Sequence, residues 1–298
     1  MSSMSSSAQL PSQEIDISTS AISPLRNYSG RILTILSGVF VAAIVLPLAW
    51  VLWDVIGEGL KQLSWQTFIE TRYPAPGLTE GGFGHAIVGS LIVLSTGAVL
   101  SFPFGILAAV YLSEFGRGTR LAYLVKFSCN VLTGVPAILC GLFAYAVVVR
   151  GSGFSAFSGG LALGVLMLPI VIRSTEEALL LVSPDMRLAS IGLGSTRFQT
   201  TMRIVLPAAA PAIVTGLILA LARSAGEAAP LLFTSFNNNF WSTNLFGPVA
   251  TLPVMIYVFS KIPFEAQRQL AWAGALVLLV IVLSASVISR YVVHKTKK

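Results

Sequence analysis

Ser183-Pro-Asp-Met-Arg-Leu-Ala-Ser-Ile-Gly-Leu-Gly-Ser-Thr-Arg-Phe-Gln-Thr-Thr-Met-Arg-Ile-Val-Leu-Pro207 is a polar island between two apolar runs, and its reading decides the fold. Ser183 can cap a helix, Pro184 suits the first helical position, and Asp185 complements the positive end of the helix dipole. Gly194-Ser-Thr196 then interrupts that helix and offers a second cap. A helix-turn-helix lying outside a bilayer is expected, with the chain re-entering the membrane through Ile204, Leu206 and Pro207.

The surrounding composition supplies the bilayer. Of 298 residues, 55% are hydrophobic and only 10% charged, where soluble domains carry roughly a quarter charged. A membrane helix needs about 20 apolar residues. Charge-free runs recur at 32–53, 86–113, 127–149, 157–172, 204–222 and 269–289, so an all-α, polytopic membrane protein with six transmembrane helices is expected. The fourth run is short, but the glycines before it and Arg173 after it can extend it into the interfaces. A further charge-free stretch, 241–260, contains Asn244, Gly247, Pro248 and Pro253, and reads as an external or re-entrant segment. Pro47, Pro103, Pro136, Pro169 and Pro207 each mark a span, as candidate bending points or packing kinks.

Most of the 19 basic residues fall on one side of this topology, and only Lys61, Arg72, Arg150, Lys261 and Arg268 on the other. The positive-inside rule then places both termini in the cytoplasm. Residues 1–30 read as a disordered cytoplasmic tail rather than a signal peptide. The expected order continues with a first transmembrane helix at 31–57, an external loop at 58–84, a core domain at 85–293 holding the loop 183–203, and a cytoplasmic tail at 294–298. Membrane lipid is thus an obligatory surrounding.

Several classes are excluded. The net charge of +7 is scattered between apolar runs rather than gathered in a stripe, which argues against nucleic acid. Cys129 and Cys140 are separated by about three helical turns, roughly 16 Å along one helix, too far for a disulfide; both read as buried small hydrophobes. His85 and His294 are far apart and no Cys/His cluster exists, so no metal site is expected. No lysine follows a glycine, so the chain has no P-loop and any ATP hydrolysis belongs to another subunit.

Leu221-Ala-Arg-Ser-Ala-Gly-Glu-Ala-Ala-Pro230 carries the rarest feature of an apolar chain, Arg223 and Glu227 at the end of a span. Ionisable residues at membrane depth are expensive and mark function by default. If residues 208–229 are helical, the i,i+4 spacing sets both on one face, where each offsets the other's charge. An arginine so held suits a hydrated anion; a structural bridge between helices is the competing reading. Gly226 and Pro230 loosen the helix, and freed backbone groups can line a polar cavity.

Gly194, nine intervening residues, and Ile204-Val-Leu-Pro207 match the coupling-loop signature of ABC importer permeases. Its Glu-Ala-Ala positions fall on Leu188, Ala189 and Ser190, so the acid is missing; docking through Met186, Leu188 and Ile191 remains. Segments beginning at Gly81, Asn130, Leu168, Ala222 and Leu252 extend the match, and together residues 81–290 resemble the PstA family of phosphate importer permeases. Ala228 departs from the threonine usual there.

The resemblance implies a type I importer fold and uptake of inorganic phosphate across a bacterial inner membrane, with no enzymatic activity in this chain. The implied partners are a sister permease (PstC-like), an ATPase dimer (PstB-like) that binds ATP and Mg, and an external phosphate-binding protein (PstS-like). It also implicates Arg223 and Arg173 in transport. Arg173 reads as an exit-side phosphate contact, a snorkelling anchor, or a bridge to Glu176 or Glu177. Permeases for sulfate, molybdate or phosphonate, a secondary transporter, and a non-transporting scaffold or sensor are the alternatives. Apart from Glu227 the span interiors contain no acid to couple an ion, which weighs against the secondary transporter.

Overall fold

The computed structural model describes residues 24–75 and 81–296, so most of the tail expected at 1–30 and the last residues of 294–298 lie outside the described residues. The chain divides into two units, residues 1–53 and 54–298. Helix α1 (Pro24–Gln62) carries the charge-free run through the first unit and begins ahead of the expected position 31.

The second unit is a helical body. After α2 (Trp65–Ile69) come α3 (Gly84–Val110), α4 (Arg120–Gly134), α5 (Ala137–Ala144) and the single turn α6 (Arg150–Ser152). Then follow α7 (Ala156–Leu180), α8 (Pro184–Gly192), α9 (Arg197–Thr200), α10 (Leu206–Ala225), α11 (Leu252–Phe259) and α12 (Glu265–Thr296). Three π turns, Tyr111–Phe115, Tyr145–Val149 and Thr201–Val205, prolong α3, prolong α5 and lead into α10.

Among the described residues five helical stretches are long and apolar enough to cross a bilayer, and α4 with the stretch Ala137–Ser152 makes a sixth. That sixth span is not the continuous helix expected over 127–149: it bends by 107°. The cause is local. Val135 precedes a proline, whose ring disfavours the helical region for its neighbour, and Val135 is accordingly extended, at φ −74° and ψ 129°. The stretch 241–260 holds no spanning helix, as expected. Asn244 Oδ1 turns the chain by accepting from the Phe246 N–H at 3.0 Å, and only α11 follows.

Helices α3 and α7 form the centre, meeting where side chains are smallest. A β-carbon on Gly160 would lie 2.5 Å from Cβ of Thr96, and one on Gly97 would lie 3.0 Å from the Gly160 carbonyl oxygen. Small residues let membrane helices approach to backbone contact. Val93, Leu163, Met167, Leu231 and Val254 fill the centre of the core. Val110, Leu179, Val182, Val205 and Ile213 form a second cluster next to α8 and α9.

A third cluster holds Tyr73, Phe83, Leu252, Met255 and Phe259. Buried His85 packs on the Tyr73 ring with centroids 4.3 Å apart. The Tyr73 hydroxyl is buried without a hydrogen-bond partner among the described residues, and burial pushes its pKa up.

Candidate functional site

The loop expected from its caps is present, and each cap works as its chemistry requires. Ser183 Oγ accepts from the Asp185 N–H at 3.2 Å, with Pro184 opening α8. Gly194 follows α8 at φ +88°, a conformation costly for any residue with a β-carbon. Thr196 and Gln199 form a reciprocal capping box at the start of α9.

The two short helices are locked together by the buried hydroxyls of Ser190 and Thr200, 2.9 Å apart. Met186, Leu188 and Ile191 instead stand exposed on α8, at 45%, 67% and 46%, and Ala189 is exposed beside them. Ile204 lies in the π turn, and Leu206 packs into the second core cluster at the start of α10, with Pro207 exposed next to it.

Leu188 and Ile191 line a cleft of about 450 Å³ together with Phe115, Arg117, Arg187 and Arg197. The sequence around Arg187 offers it no acidic partner at helical spacing. In the structure its Nη2 donates to Glu114 Oε1 at 2.8 Å and to the Leu179 carbonyl at 2.7 Å. Its Nη1 donates to the Val182 carbonyl at 2.5 Å and its Nε to Glu114 Oε2 at 3.4 Å.

Arg223 lies in the last turn of α10. A helix of 20 residues is about 30 Å long, so Arg223 and the α8–α9 pair lie at opposite ends of α10. The helical premise for 208–229 fails in its last turn: α10 ends at Ala225, capped by Gly226, whose N–H bonds back to Arg223 and Ser224. Glu227 therefore sits in the turn after the helix, its N–H donating to the Ser224 carbonyl at 3.2 Å. The ion pairs among the described residues are Lys61–Glu58, Lys126–Glu176, Arg187–Glu114 and Arg268–Glu265. Arg223 and Glu227 do not pair with each other. The Arg223 side chain is exposed on the isolated chain, and a cation at a helix C-terminus is favoured by the dipole.

Beyond Glu227 the backbone stays irregular. The Ala228 carbonyl accepts from the N–H groups of Leu231 and Leu232, and Pro230 is buried.

Arg173 takes neither acid expected of a bridge. Its Nη2 donates to Asn130 Oδ1, tying α7 to α4, while Glu176 pairs with Lys126 at 2.6 Å. Lys126, Asn130, Arg173, Glu176 and Glu177 share one cleft of about 320 Å³, towards the α8 end of α7. Asn130 opens one of the segments that carry the family resemblance, but nothing in the sequence pairs it with Arg173. Among the described residues no group of acids, histidines and cysteines could hold a metal ion, and both cysteines are free and buried.

A helical membrane body with a capped helix pair between two of its spans defines the permease subunit of a type I ABC importer. Solved structures share that architecture. An inward-facing MetNI methionine ABC transporter matches with a TM-score of 0.57 and 18% identity, over 72% of this chain and 96% of its own. A bacterial alginate ABC transporter matches with a TM-score of 0.61 and 16% identity, over 92% and 98%. Residues 101–298 match the family of binding-protein-dependent transport system inner membrane components.

The phosphate transport system permease protein PstA of Yersinia pestis is 40% identical over 91% of this chain and 92% of its own length. That of Haemophilus influenzae is 40% identical over 82% and 86%. The chain belongs to the binding-protein-dependent transport system inner membrane component family, as a PstA-like permease subunit.

Proposed function

We propose that this chain is the membrane-spanning subunit of an ATP-driven importer of inorganic phosphate, and that Arg223, Glu227 and Arg173 line the substrate path. The observation that carries the reading is Arg223 itself, an arginine without an ion-pair partner among the described residues, at a broken helix end in a membrane body. Its planar guanidinium matches the oxygens of hydrogenphosphate. The irregular segment from Gly226 to Pro230 leaves backbone groups free to complete a polar site, as in other transport proteins. Glu227 accepts a hydrogen bond from the proton of the phosphate, a proton that sulfate lacks at neutral pH. Arg173, at the opposite end of the path, meets phosphate on its way out.

Both termini lie in the cytoplasm of a bacterial cell, in accord with the distribution of basic residues. Met186, Leu188 and Ile191 dock into a PstB-like ATPase dimer, which binds ATP and Mg. A PstC-like sister permease completes the membrane pore, and a PstS-like binding protein delivers phosphate from outside to the segments 61–84 and 237–265. Trp65, Phe240 and Trp241 stand exposed there. Closure of the ATPase dimer moves residues 184–203 and opens the path outward.

An anion panel tests the substrate. Proteoliposomes holding all four components should accumulate labelled phosphate, with unlabelled sulfate and molybdate failing to compete. Competition by sulfate at equal concentration would move the assignment to another oxyanion.

A further inference from the structure

Neither covalent link between the α8–α9 pair and the membrane body is continuous α-helix. Leu181, Val182 and Ser183 separate α7 from α8 outside any helix. On the other side the chain passes through the π turn Thr201–Val205, a wider and rarer turn than the α-helical one. These links join the pair to the body only at its two chain ends.

Arg187 provides a second route. From α8 its guanidinium reaches the carbonyls of Leu179 and Val182 at the end of α7, and both carboxylate oxygens of Glu114 in the π turn that ends α3. Arginine and carboxylate side chains are only 17% and 11% exposed, and a paired, fork-shaped arginine fixes direction as well as distance. Leu112 and Ser113, next to Glu114, are buried, and so are Leu179 and Val182. The bridge is therefore anchored among packed residues, in the π turn that ends α3 and at and just beyond the end of α7.

We infer that Arg187 and Glu114 form the rigid coupling that transfers motion of α8 directly to α3 and α7, the two helices at the centre of the body. The inference rests on the importer reading given above. Arg187 is a positioning residue: it touches neither ATP nor phosphate. Its loss disconnects hydrolysis from transport while leaving hydrolysis in place.

The test uses the complete reconstituted complex and reads phosphate taken up per ATP hydrolysed in the presence of binding protein. Arg187→Gln is expected to lower that ratio about tenfold with hydrolysis retained. Glu114→Gln, nearly isosteric, should lower it in the same direction, and it decides the matter if Arg187→Gln does not assemble. A short bifunctional thiol reagent joining Glu114→Cys to Arg187→Cys should restore the ratio, because it replaces the tie without the charge; Cys129 and Cys140 are changed to alanine for this variant.

An unchanged ratio, or uptake and hydrolysis falling in parallel, overturns the inference. A wild-type complex that hydrolyses ATP without moving phosphate would instead sink the importer reading. The coupling is then read by spin labels on Phe115→Cys and Leu193→Cys, with Cys129 and Cys140 again changed to alanine: one nucleotide-independent distance supports it, and a distance that changes with nucleotide overturns it.

Discussion

Gly141 and Pro230 meet backbone to backbone: a β-carbon on Gly141 would lie 2.6 Å from Cα of Pro230 and 2.8 Å from its carbonyl oxygen. Helix α5 thus braces the irregular segment that follows Arg223 and Glu227. Gly141→Ala must push that segment away, and overpacking of this kind costs about 1–3 kcal/mol. The variant is expected to melt earlier in detergent and to lose uptake. A crystal or cryo-EM structure of it with Pro230 unmoved would refute the bracing role.

Glu227→Gln separates selectivity from affinity. The amide keeps the size of the side chain but also offers a donor, so sulfate gains a partner that the carboxylate denied it. Sulfate should begin to compete with phosphate in the uptake assay. A variant that transports phosphate normally and still excludes sulfate would falsify the proton-reading role.

Arg173 can be tested against its neighbour. Asn130 only orients it, so Asn130→Ala should leave most uptake intact. Arg173→Gln should raise the half-saturating phosphate on the exit side about tenfold, the worth of one charge-assisted hydrogen bond of about 1.5 kcal/mol. Equal effects of the two substitutions would make the pair a helix tie.

Tyr73 makes a prediction about stability alone. Its hydroxyl is buried without a partner among the described residues while its ring packs on His85 and Phe259. Tyr73→Phe keeps the ring contacts and removes the orphaned group, so thermal stability should be unchanged or higher by about 1 kcal/mol. Burial raises the phenol pKa in the folded chain above its ordinary value. The stability that depends on its neutral form is therefore complete below about pH 10 and is lost as pH rises further. Wild type should lose stability faster than Tyr73→Phe in melts above that pH.

What the sequence made legible was whatever is decided locally. The helix pair could be read because Ser183, Pro184, Gly194 and Thr196 act on backbone groups within three residues of themselves. Spans could be read because a charge is excluded from lipid wherever the helix packs.

The end of α10 carried its signal too, in Gly226 and Pro230, but a glycine that loosens a helix and one that ends it look alike until tertiary packing decides. Break and kink at Val135-Pro136 are the same kind of ambiguity. The partners of Arg173 and Arg187 were not legible at all. Asn130 and Glu114 lie 43 and 73 positions away, and periodicity says nothing about which side chains two packed helices bring together.

Whether Arg223 stands in the path of phosphate is decided by ATP-driven uptake of labelled phosphate in proteoliposomes containing Arg223→Gln. Uptake is expected to be lost while binding-protein-stimulated ATP hydrolysis persists. Wild-type uptake in that variant would contradict it and reduce Arg223 to a charge at the end of a helix.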